Sequence, residues 1–451
     1  MSNVIVWLRR DLRLQDNPAL YYSLTSGHTV IPVYIYAPDE EAPWQPGKAS
    51  RWWLHQSLSA LKNTLLAKQS NLLFYQGHSL KILQALIKAT QAKAVYWNVL
   101  YEPAQIKRDR LIKAALQKSG IIIRTFQGAL LHEPWTIKNQ AGQPYQLFRP
   151  FWQACQRCPG KRLPLTIPNR FSAPQKWPNS LNLKDLKILP DFYQPPQWAN
   201  IWQPGEAGAW QRLHQWCRSG LTDYAEQRDF PYLDSVSRLS VHLHFGELSP
   251  RQVLGTAKYA SSHLHRRAKG IESYEHQLYW REFAYYLLYH YPKMAEQPLD
   301  IKFNKFPWRD NYQQLFTAWQ LGQTGYPLID AGMRELRTTG WIHNRVRMVV
   351  ASFLTKNCGI PWQTGSRWFW DTLVDADLAN NTLGWQWVTG CGPDGAPAHR
   401  IFNPLLQSRR YDPQGQYLQR WLPELAHLPI PYQHQPWDAV PKPNYPAPII
   451  T

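Results

Sequence analysis

The chain has 451 residues, more than one hydrophobic core usually organises, and this length predicts two domains or one large composite domain. Its aromatic content of 14%, including 23 Trp, excludes an intrinsically disordered protein and supplies flat rings for stacking or for moving electrons. The formal net charge of +19 favours a polyanionic partner such as nucleic acid over an acidic small molecule.

The first 130 residues alternate short β-branched runs with helical patterns, which predicts a parallel sheet with crossover helices. The helical pattern at 50–68 places Trp53 and four leucines on one face. Neither G-x-G-x-x-G nor G-x-x-x-x-G-K-[ST] occurs, so no standard dinucleotide or triphosphate site is indicated. The predicted strands are NVIVWL at 3–8, TVIPVYIYA at 29–37, NLLFY at 71–75, AVYWNV at 94–99 and GIIIRTF at 120–126.

Prolines recur throughout the next stretch, which excludes long helices and marks a connection between domains. Its aromatic side chains need surfaces to pack on, so we expect an ordered strap. Beyond it the strand signals end, and amphipathic helical patterns follow, with a Pro-rich tail from Pro429 to Thr451 that we expect to be draped or frayed. The sequence therefore predicts an α/β domain over 1–130, an interdomain connector over 131–205 and a helical domain over 206–451.

Arg, Asp, Asn and Trp residues interrupt otherwise apolar helices in the last third of the chain. Polar side chains in such helices need partners, and Asp375 and Asp377 could pair with Arg347, with Arg345 or with donors of a ligand. A buried structural ion-pair network explains this region equally well when it is taken alone. The segments concerned are GWIHNRVRM at 340–348, LVDADLANNTLGWQW at 373–387 and RIFNP at 400–404.

A second group of residues lies in YEHQLYWREF at 274–283, where Gln277, Trp280 and Arg281 share one helix face. An amide beside an indole can read the edge of a base while the ring stacks on it. For an isolated helix, ordinary packing is the favoured interpretation.

Taken together, these segments resemble the photolyase and cryptochrome family over nearly the whole chain, and most closely its class I cyclobutane pyrimidine dimer photolyases. The resemblance implies a Rossmann-like antenna domain followed by an all-helical FAD-binding domain. It also implies a lyase that uses blue light to split cyclobutane pyrimidine dimers in UV-damaged DNA. Besides the segments above, the matching motifs are WLRRDLRLQDNPAL at 7–20, GKASRWWLHQSL at 47–58 and YAEQRDFPYLDSVSRLSVHLHFGELSPRQV at 224–253.

The resemblance implies FAD in a folded, U-shaped form within the helical domain. Val236 stands where the family commonly has Thr, so one hydroxyl contact is missing. Because an Asn cannot donate a carboxyl proton, Asn381 beside the flavin suits a fully reduced anionic ring, which favours repair over signalling. The implied FAD-binding residues are Tyr224, Arg228, Ser237 and Ser240 near the phosphates and ribityl chain, and Arg347, Asp375, Asp377 and Asn381 near the isoalloxazine.

Three tryptophans match the chain that, in this family, passes an electron from the surface to photoexcited flavin. They are Trp385, Trp362 and Trp308, the last aligned across a one-residue difference in length. In the family's reaction, reduced flavin donates one electron to a lesion that is flipped out of the duplex, the cyclobutane ring opens, and the electron returns. The implied lesion contacts are Trp280 and Trp387 as walls, Asn344, Arg345 and Met348 as floor and rim, and Arg400 on the DNA phosphates.

The sequence departs from the family pattern at Gln277, where cyclobutane-dimer photolyases usually have a Glu that hydrogen-bonds the thymine pair. Gln is typical of enzymes for (6-4) photoproducts, but those enzymes also need two histidines, at positions that carry Asn344 and Met348 in this chain. Without them the (6-4) mechanism has no acid. We therefore predict cyclobutane repair with Gln277 as a catalytic residue, at reduced efficiency or with altered lesion preference.

The N-terminal domain of this family often holds an antenna chromophore, either methenyltetrahydrofolate or a deazaflavin. Arg51 and Glu102 fall in regions that line such pockets. The segment PKMAE at 292–296 lacks the Cys-Lys pair that some folate-binding members use, so the identity and presence of an antenna stay open.

Five cysteines with one C-x-x-C pair predict reduced thiols rather than a metal site. No apolar run of about 18 residues and no signal-peptide pattern is present, so we expect a cytoplasmic, monomeric protein without membrane contact. The alternatives are a cryptochrome-like photoreceptor, a photolyase with (6-4) preference, and a basic nucleic-acid-binding protein without catalysis.

Overall fold

The computed structural model describes residues 2–158, 162–189, 196–263, 269–395 and 401–450. Within them the N-terminal region contains a parallel sheet of five strands in the order β3-β2-β1-β4-β5. This confirms the predicted α/β fold. The strands are β1 (Asn3–Leu8), β2 (Thr29–Tyr36), β3 (Leu73–Gln76), β4 (Ala94–Asn98) and β5 (Ile122–Phe126).

Both faces of the sheet are covered by helices. Alternate residues of β1 enter two separate cores, with Val4 and Val6 on one face and Ile5 and Trp7 on the other, as the twofold period of a strand requires. The first core includes side chains of α1 (Pro18–Thr25) and α2 (Lys48–Ala67), and the second includes those of α3 (Ser79–Thr90) and α4 (Pro103–Lys118).

After β5, the regular elements that the structure describes are helices. Their large apolar core is built chiefly by the long helix that follows residue 268 and by the helices around it. The helices are α5 (Phe148–Arg157), α6 (Glu206–Ser219), α7 (Tyr224–Gln227), α8 (Ser240–His244), α9 (Pro250–His263), α10 (Lys269–His290), α11 (Gln313–Leu321), α12 (Pro327–Thr339), α13 (Asn344–Ser352), α14 (Trp362–Thr372), α15 (Leu378–Thr389), α16 (Pro404–Tyr411), α17 (Gln416–Trp421) and α18 (Ile430–His434).

The α/β and helical regions share a buried, polar contact. The indole of Trp53 in α2 donates to Glu247 Oε1 at 2.9 Å, and the buried Arg13 donates to the carbonyl oxygen of Gly246 at 2.8 Å. Gly246 has φ +68°, and a Cβ there would lie 2.2 Å from the carbonyl oxygen of Arg10. Only glycine allows the backbones to approach this closely, so the contact holds the two regions in one arrangement.

The connector and the tail are both packed against the helical region. Phe148 stacks on Trp280 with ring centroids 4.0 Å apart and planes 8° from parallel. In the tail, the Ile449 amide donates to Thr324 at 3.0 Å and the Tyr445 hydroxyl donates to the buried Asp330. The described part of the tail, up to residue 450, is therefore draped over the start of α12.

Candidate active site

A cavity of about 540 Å³ opens in the helical region, between the segment that follows α6 and helices α10, α13, α14 and α15. This volume, with mostly apolar walls and a few polar groups, is typical of a site for a large organic ligand. Arg400 lies outside the described residues. Sequence-predicted residues that line the cavity are Tyr224, Arg228, Ser237, Ser240, Gln277, Trp280, Asn344, Arg345, Arg347, Met348, Asp375, Asp377, Asn381, Trp385 and Trp387.

One end of the cavity carries hydroxyl groups and a guanidinium suited to an anionic ligand. Arg228 lies with its guanidinium 5.6 Å from the ring centroid of Tyr224, and Tyr274 donates to Ser237 Oγ at 3.3 Å. Arg and hydroxyl groups are strong donors to phosphate oxygens. Val236 also lines the cavity here, so its wall is apolar where a Thr would add a hydroxyl.

A buried carboxylate and a partly buried guanidinium in the cavity lining form an ion pair. Arg347 Nη2 lies 3.3 Å from both carboxylate oxygens of Asp375, and Ser240 Oγ donates to Asp375 Oδ2 at 2.7 Å. Arg347 Nε is buried and has no protein partner among the described residues. Arg345 instead pairs with Asp229 at 2.7 Å, so of the two arginines considered from the sequence only Arg347 contacts Asp375.

The Asp377 carboxylate already has several protein donors. Asn380 donates to Oδ1 through its backbone N at 2.9 Å and its Nδ2 at 2.7 Å, while the Tyr285 hydroxyl and His244 Nδ1, the latter at 3.1 Å, contact Oδ2. Burial alone would raise the pKa of Asp377, but His244, the positive charge of Arg281 and the Tyr285 hydroxyl outweigh it and hold this pKa well below its ordinary value. Asp377 is therefore ionised at neutral pH.

Asn381 presents an acceptor to the cavity. Its Nδ2 donates at 3.0 Å both to the carbonyl oxygen and to the hydroxyl oxygen of Ser366. Because the amide group has two N–H bonds, these contacts use both of them and leave the carbonyl oxygen for a ligand. The side chain can accept a hydrogen bond from a ligand N–H there, and it has no proton left to donate.

The three predicted tryptophans differ in their relation to the cavity. Trp385 lines the cavity and is buried. Its indole packs directly against Gly365 in α14, where an added Cβ would lie only 2.2 Å from the Trp385 Cη2 atom. Trp362 is buried at the start of α14, three residues before Gly365 and thus on the same side of that helix. Trp308 is partly exposed. The backbone N of the next residue, Arg309, donates to the Gly359 carbonyl oxygen at 2.8 Å, so the Trp308 segment contacts the loop that precedes α14.

Two aromatic residues beside the site were not identified from the sequence. Phe148 backs Trp280 from the connector, and Trp319 lies with its ring centroid 6.5 Å from that of Trp385. Trp319 is fully buried and belongs to the apolar face of α11, the only signal that its sequence carries.

A second cavity of about 220 Å³ lies between the α/β and helical regions. Glu102 lines it and pairs with Arg10, which also contacts Glu41 at 2.9 Å. The rings of Trp44 and Trp370, which also line it, are 5.5 Å apart at 77°. Arg51 is absent from the described residues that line this space.

Glu335 in α12 is a buried carboxyl group that receives hydrogen bonds from the Tyr417 hydroxyl at 2.7 Å and from the His343 backbone N at 3.3 Å. Burial raises its pKa from the ordinary 4.5 to about 7. Because the folded-state pKa is higher than that of the unfolded chain, this group contributes most stability below pH ~4.5 and loses it as pH rises through about 7.

We therefore expect Glu335→Gln, which stays neutral, to gain stability relative to the wild type on going from pH 5 to pH 8, by at most ~3 kcal/mol. Urea unfolding of both proteins at the two pH values measures this. The partly exposed Glu424, paired with Arg334 at 2.7 Å, provides the control variant Glu424→Gln. Parallel pH profiles for wild type and Glu335→Gln would show that the carboxyl group is ionised at both pH values.

Comparison with known proteins identifies the family. Residues 4–169 match the family model described as DNA photolyase, and residues 274–451 match the FAD binding domain of DNA photolyase. A deoxyribodipyrimidine photo-lyase of Agrobacterium fabrum is 43% identical over 97% of this chain and 90% of its own length. The chain belongs to the DNA photolyase and cryptochrome family. Cryptochrome-2 of Arabidopsis thaliana is 40% identical over 97% of this chain and 73% of its own length.

A solved structure has the same fold throughout. This chain matches the crystal structure of a bacterial class III photolyase from Agrobacterium tumefaciens with 41% sequence identity and a TM-score of 0.94. The match covers 100% of this chain and 95% of the photolyase chain. FAD is accordingly the cofactor of this photolyase-family member, and the unpartnered Arg347 Nε with the free Asn381 carbonyl oxygen fits a ligand with both acceptors and donors. No helix among the described residues is long and apolar enough to cross a bilayer.

Proposed function

We propose that this chain repairs cyclobutane pyrimidine dimers in UV-damaged DNA with blue light. The observation that carries the proposal is that the polar groups suited to FAD and the aromatic walls suited to a pyrimidine dimer line one cavity. When bound and reduced, FAD supplies one electron to the dimer on excitation and receives it back. The photo-lyase of Agrobacterium fabrum, similar over nearly the whole chain, supports this activity.

Three groups of residues in this chain would hold the cofactor. Arg347 would donate to it while Asp375 keeps the guanidinium oriented, and the Asn381 carbonyl oxygen would accept from it. The hydroxyl-bearing end, with Tyr224, Arg228, Ser237 and Ser240, holds the phosphates and ribityl chain.

The lesion stacks against Trp280 and Trp387, and Phe148 keeps Trp280 from turning because it covers one face of the indole. Asn344, Arg345 and Met348 form the floor and rim, and Gln277 hydrogen-bonds the bases. The partly buried aromatic walls also limit the access of water to the space in which the electron moves. Trp385, Trp362 and Trp308 carry electrons from the surface, so that the cofactor reaches its reduced state.

We propose that the chain is a class III photolyase, and not a class I photolyase as the resemblance of its motifs implied. The support is the class III photolyase of Agrobacterium tumefaciens, which matches the whole chain at a TM-score of 0.94. An antenna chromophore, a folate or a deazaflavin, would occupy the second cavity, where Glu102 lies beside two indole rings.

The decisive experiment is illumination of the reduced protein with dimer-containing single- and double-stranded oligonucleotides. We expect restoration of intact pyrimidines in the light and none in the dark. A second candidate, a cryptochrome-like photoreceptor, is favoured by the 40% identity to Cryptochrome-2. FAD-loaded protein that leaves the dimers intact under light would support this candidate and overturn the repair proposal.

Gln277→Glu provides a sharper test of the lesion contact. In its protonated form a carboxyl group at this position donates more strongly than an amide to the negative charge that develops on the dimer, so we expect cyclobutane repair to rise by up to ~10-fold. Single-turnover repair yield measures this, with Gln277→Met, which has no hydrogen-bonding group, as the matched control. Equal yields for Gln277→Glu and wild type would mean that this side chain does not contact the dimer.

A further inference from the structure

Asp377 and Leu378 separate the two cavities. They are consecutive in the chain, yet Asp377 lines the larger cavity and Leu378 lines the smaller one. Asp377 is also the N-cap of α15, so its backbone is held at the start of that helix. Any group that moves this carboxylate changes the polar wall of the larger cavity.

Two side chains from other elements hold the Asp377 carboxylate at Oδ2. They are Tyr285 in α10 and His244 at the end of α8, and both are buried. Oδ1 is already occupied by two donors of Asn380. An ionised carboxylate has about four lone-pair sites, so the protein contacts all of them and leaves the group little freedom to rotate.

Tyr285 contacts one residue that lines the larger cavity and one that precedes a lining residue of the smaller cavity. Its ring is 4.9 Å from the guanidinium of Arg281, which lines the larger cavity, and 6.1 Å from the ring of Tyr101. Tyr101 precedes Glu102, which pairs with Arg10 at the smaller cavity. Burial, and then the charge of Asp377, raise the pKa of the Tyr285 hydroxyl far above its ordinary value. The hydroxyl is thus always a donor.

We propose that Tyr285 and His244 are positioning residues that hold the Asp377 carboxylate in one orientation at the wall of the FAD cavity. This inference rests on the proposed function only in that FAD occupies that cavity. A hydrogen bond to a carboxylate disperses its negative charge. Loss of one donor therefore leaves a stronger negative field in the cavity and disfavours the anionic, reduced cofactor.

The test compares two neighbouring residues of α10. Tyr285→Phe removes only the hydroxyl that contacts Asp377, whereas Tyr286→Phe removes a buried hydroxyl that donates to the Ile137 carbonyl oxygen at 2.9 Å. In FAD-loaded protein we expect Tyr285→Phe to lower the ratio of reduced to oxidised flavin about tenfold at a fixed potential, a shift of ~30 mV for a two-electron couple. Tyr286→Phe is expected to leave the midpoint potential unchanged.

A double-mutant cycle shows whether the effect passes through Asp377. In an Asp377→Asn background, Tyr285→Phe should change the ratio of reduced to oxidised flavin at a fixed potential by less than twofold. Full additivity, or equal shifts for Tyr285→Phe and Tyr286→Phe, would overturn the inference. If Tyr285→Phe does not fold, His244→Phe, which removes the ring nitrogen that contacts Asp377 at 3.1 Å, takes its place, and an unchanged midpoint potential in that variant would equally overturn the inference.

The outcome is separable from that of the repair proposal. Wild-type protein that binds FAD but does not repair dimers contradicts the proposed function and leaves this potential measurement valid. Repair-competent protein whose midpoint potential is the same in all the variants contradicts only the positioning role.

Discussion

Asp375→Ala is expected to weaken FAD binding at least ~100-fold, because removal of one partner of a buried ion pair typically costs several kcal/mol. The Asp375 carboxylate contacts Arg347 at 3.3 Å and accepts from Ser240 at 2.7 Å, and its side chain is only 2% exposed. Without it the Arg347 guanidinium loses this carboxylate partner and Ser240 loses its acceptor. Both are groups that we assign to the cofactor.

Fluorescence titration of the apoprotein with FAD gives the dissociation constant, and the absorbance ratio at 450 and 280 nm gives the occupancy after purification. Asp330→Ala is the matched control, since Asp330 is a fully buried Asp in α12 that accepts from Thr324 and Tyr445 and does not line the cavity. Equal loss of FAD in the two variants would attribute the effect to general instability. An unchanged affinity of Asp375→Ala for FAD would show that the ion pair does not contribute to FAD binding.

Trp385→Phe is expected to slow photoreduction of the bound flavin by ~100-fold or more, equivalent to ~3 kcal/mol in the barrier. Trp385 is the member of the predicted electron-transfer chain that lines the cavity, so in the proposed path it is the last tryptophan that the electron passes through. Dimer repair by protein that has been reduced chemically in the dark should be nearly unaffected, because that reaction needs no electron from the tryptophans.

Bleaching of the 450 nm absorbance under blue light, with an external thiol as donor, measures the photoreduction rate. Trp97→Phe removes an equally buried indole from the α/β region, where Trp97 packs at 5.7 Å against Trp7. This control should photoreduce at the wild-type rate. Photoreduction of Trp385→Phe at that same rate would show that the electrons enter elsewhere, and Trp319, 6.5 Å from Trp385, would be the next candidate.

The main outlines of the fold could be predicted from the sequence because its signals are local. The strand predicted at 3–8 is β1 with identical bounds, and the helical pattern at 50–68 is α2 at Lys48–Ala67. The strand at 71–75 was less accurate, since β3 is Leu73–Gln76. Apolar periodicity sets these elements over a few residues, whereas their ends depend on the pairing partner.

The candidate site was predictable in part, because long motifs carry the residue types that a flavin and a pyrimidine dimer require. The Asp375 segment could be explained equally well by a structural ion pair or by ligand binding. The structure shows the ion pair with Arg347 in the lining of a ligand-sized cavity, and the ligand contact stays a prediction. The local sequence pattern did not indicate which arginine pairs with which carboxylate. Arg345 and Arg347 are two residues apart, yet one contacts Asp229 and the other contacts Asp375.

By itself, the sequence determined the order of strands and helices along the chain, the family resemblance and about half of the residues that line the cavity, since each depends on residues close together in the chain. Only the tertiary structure decided which side chains contact one another around the cavity. Tyr285 and Asp377 are 92 positions apart, and Phe148 comes from the connector to cover Trp280. Such contacts arise when the packing of whole helices brings distant side chains together, and no local pattern records them.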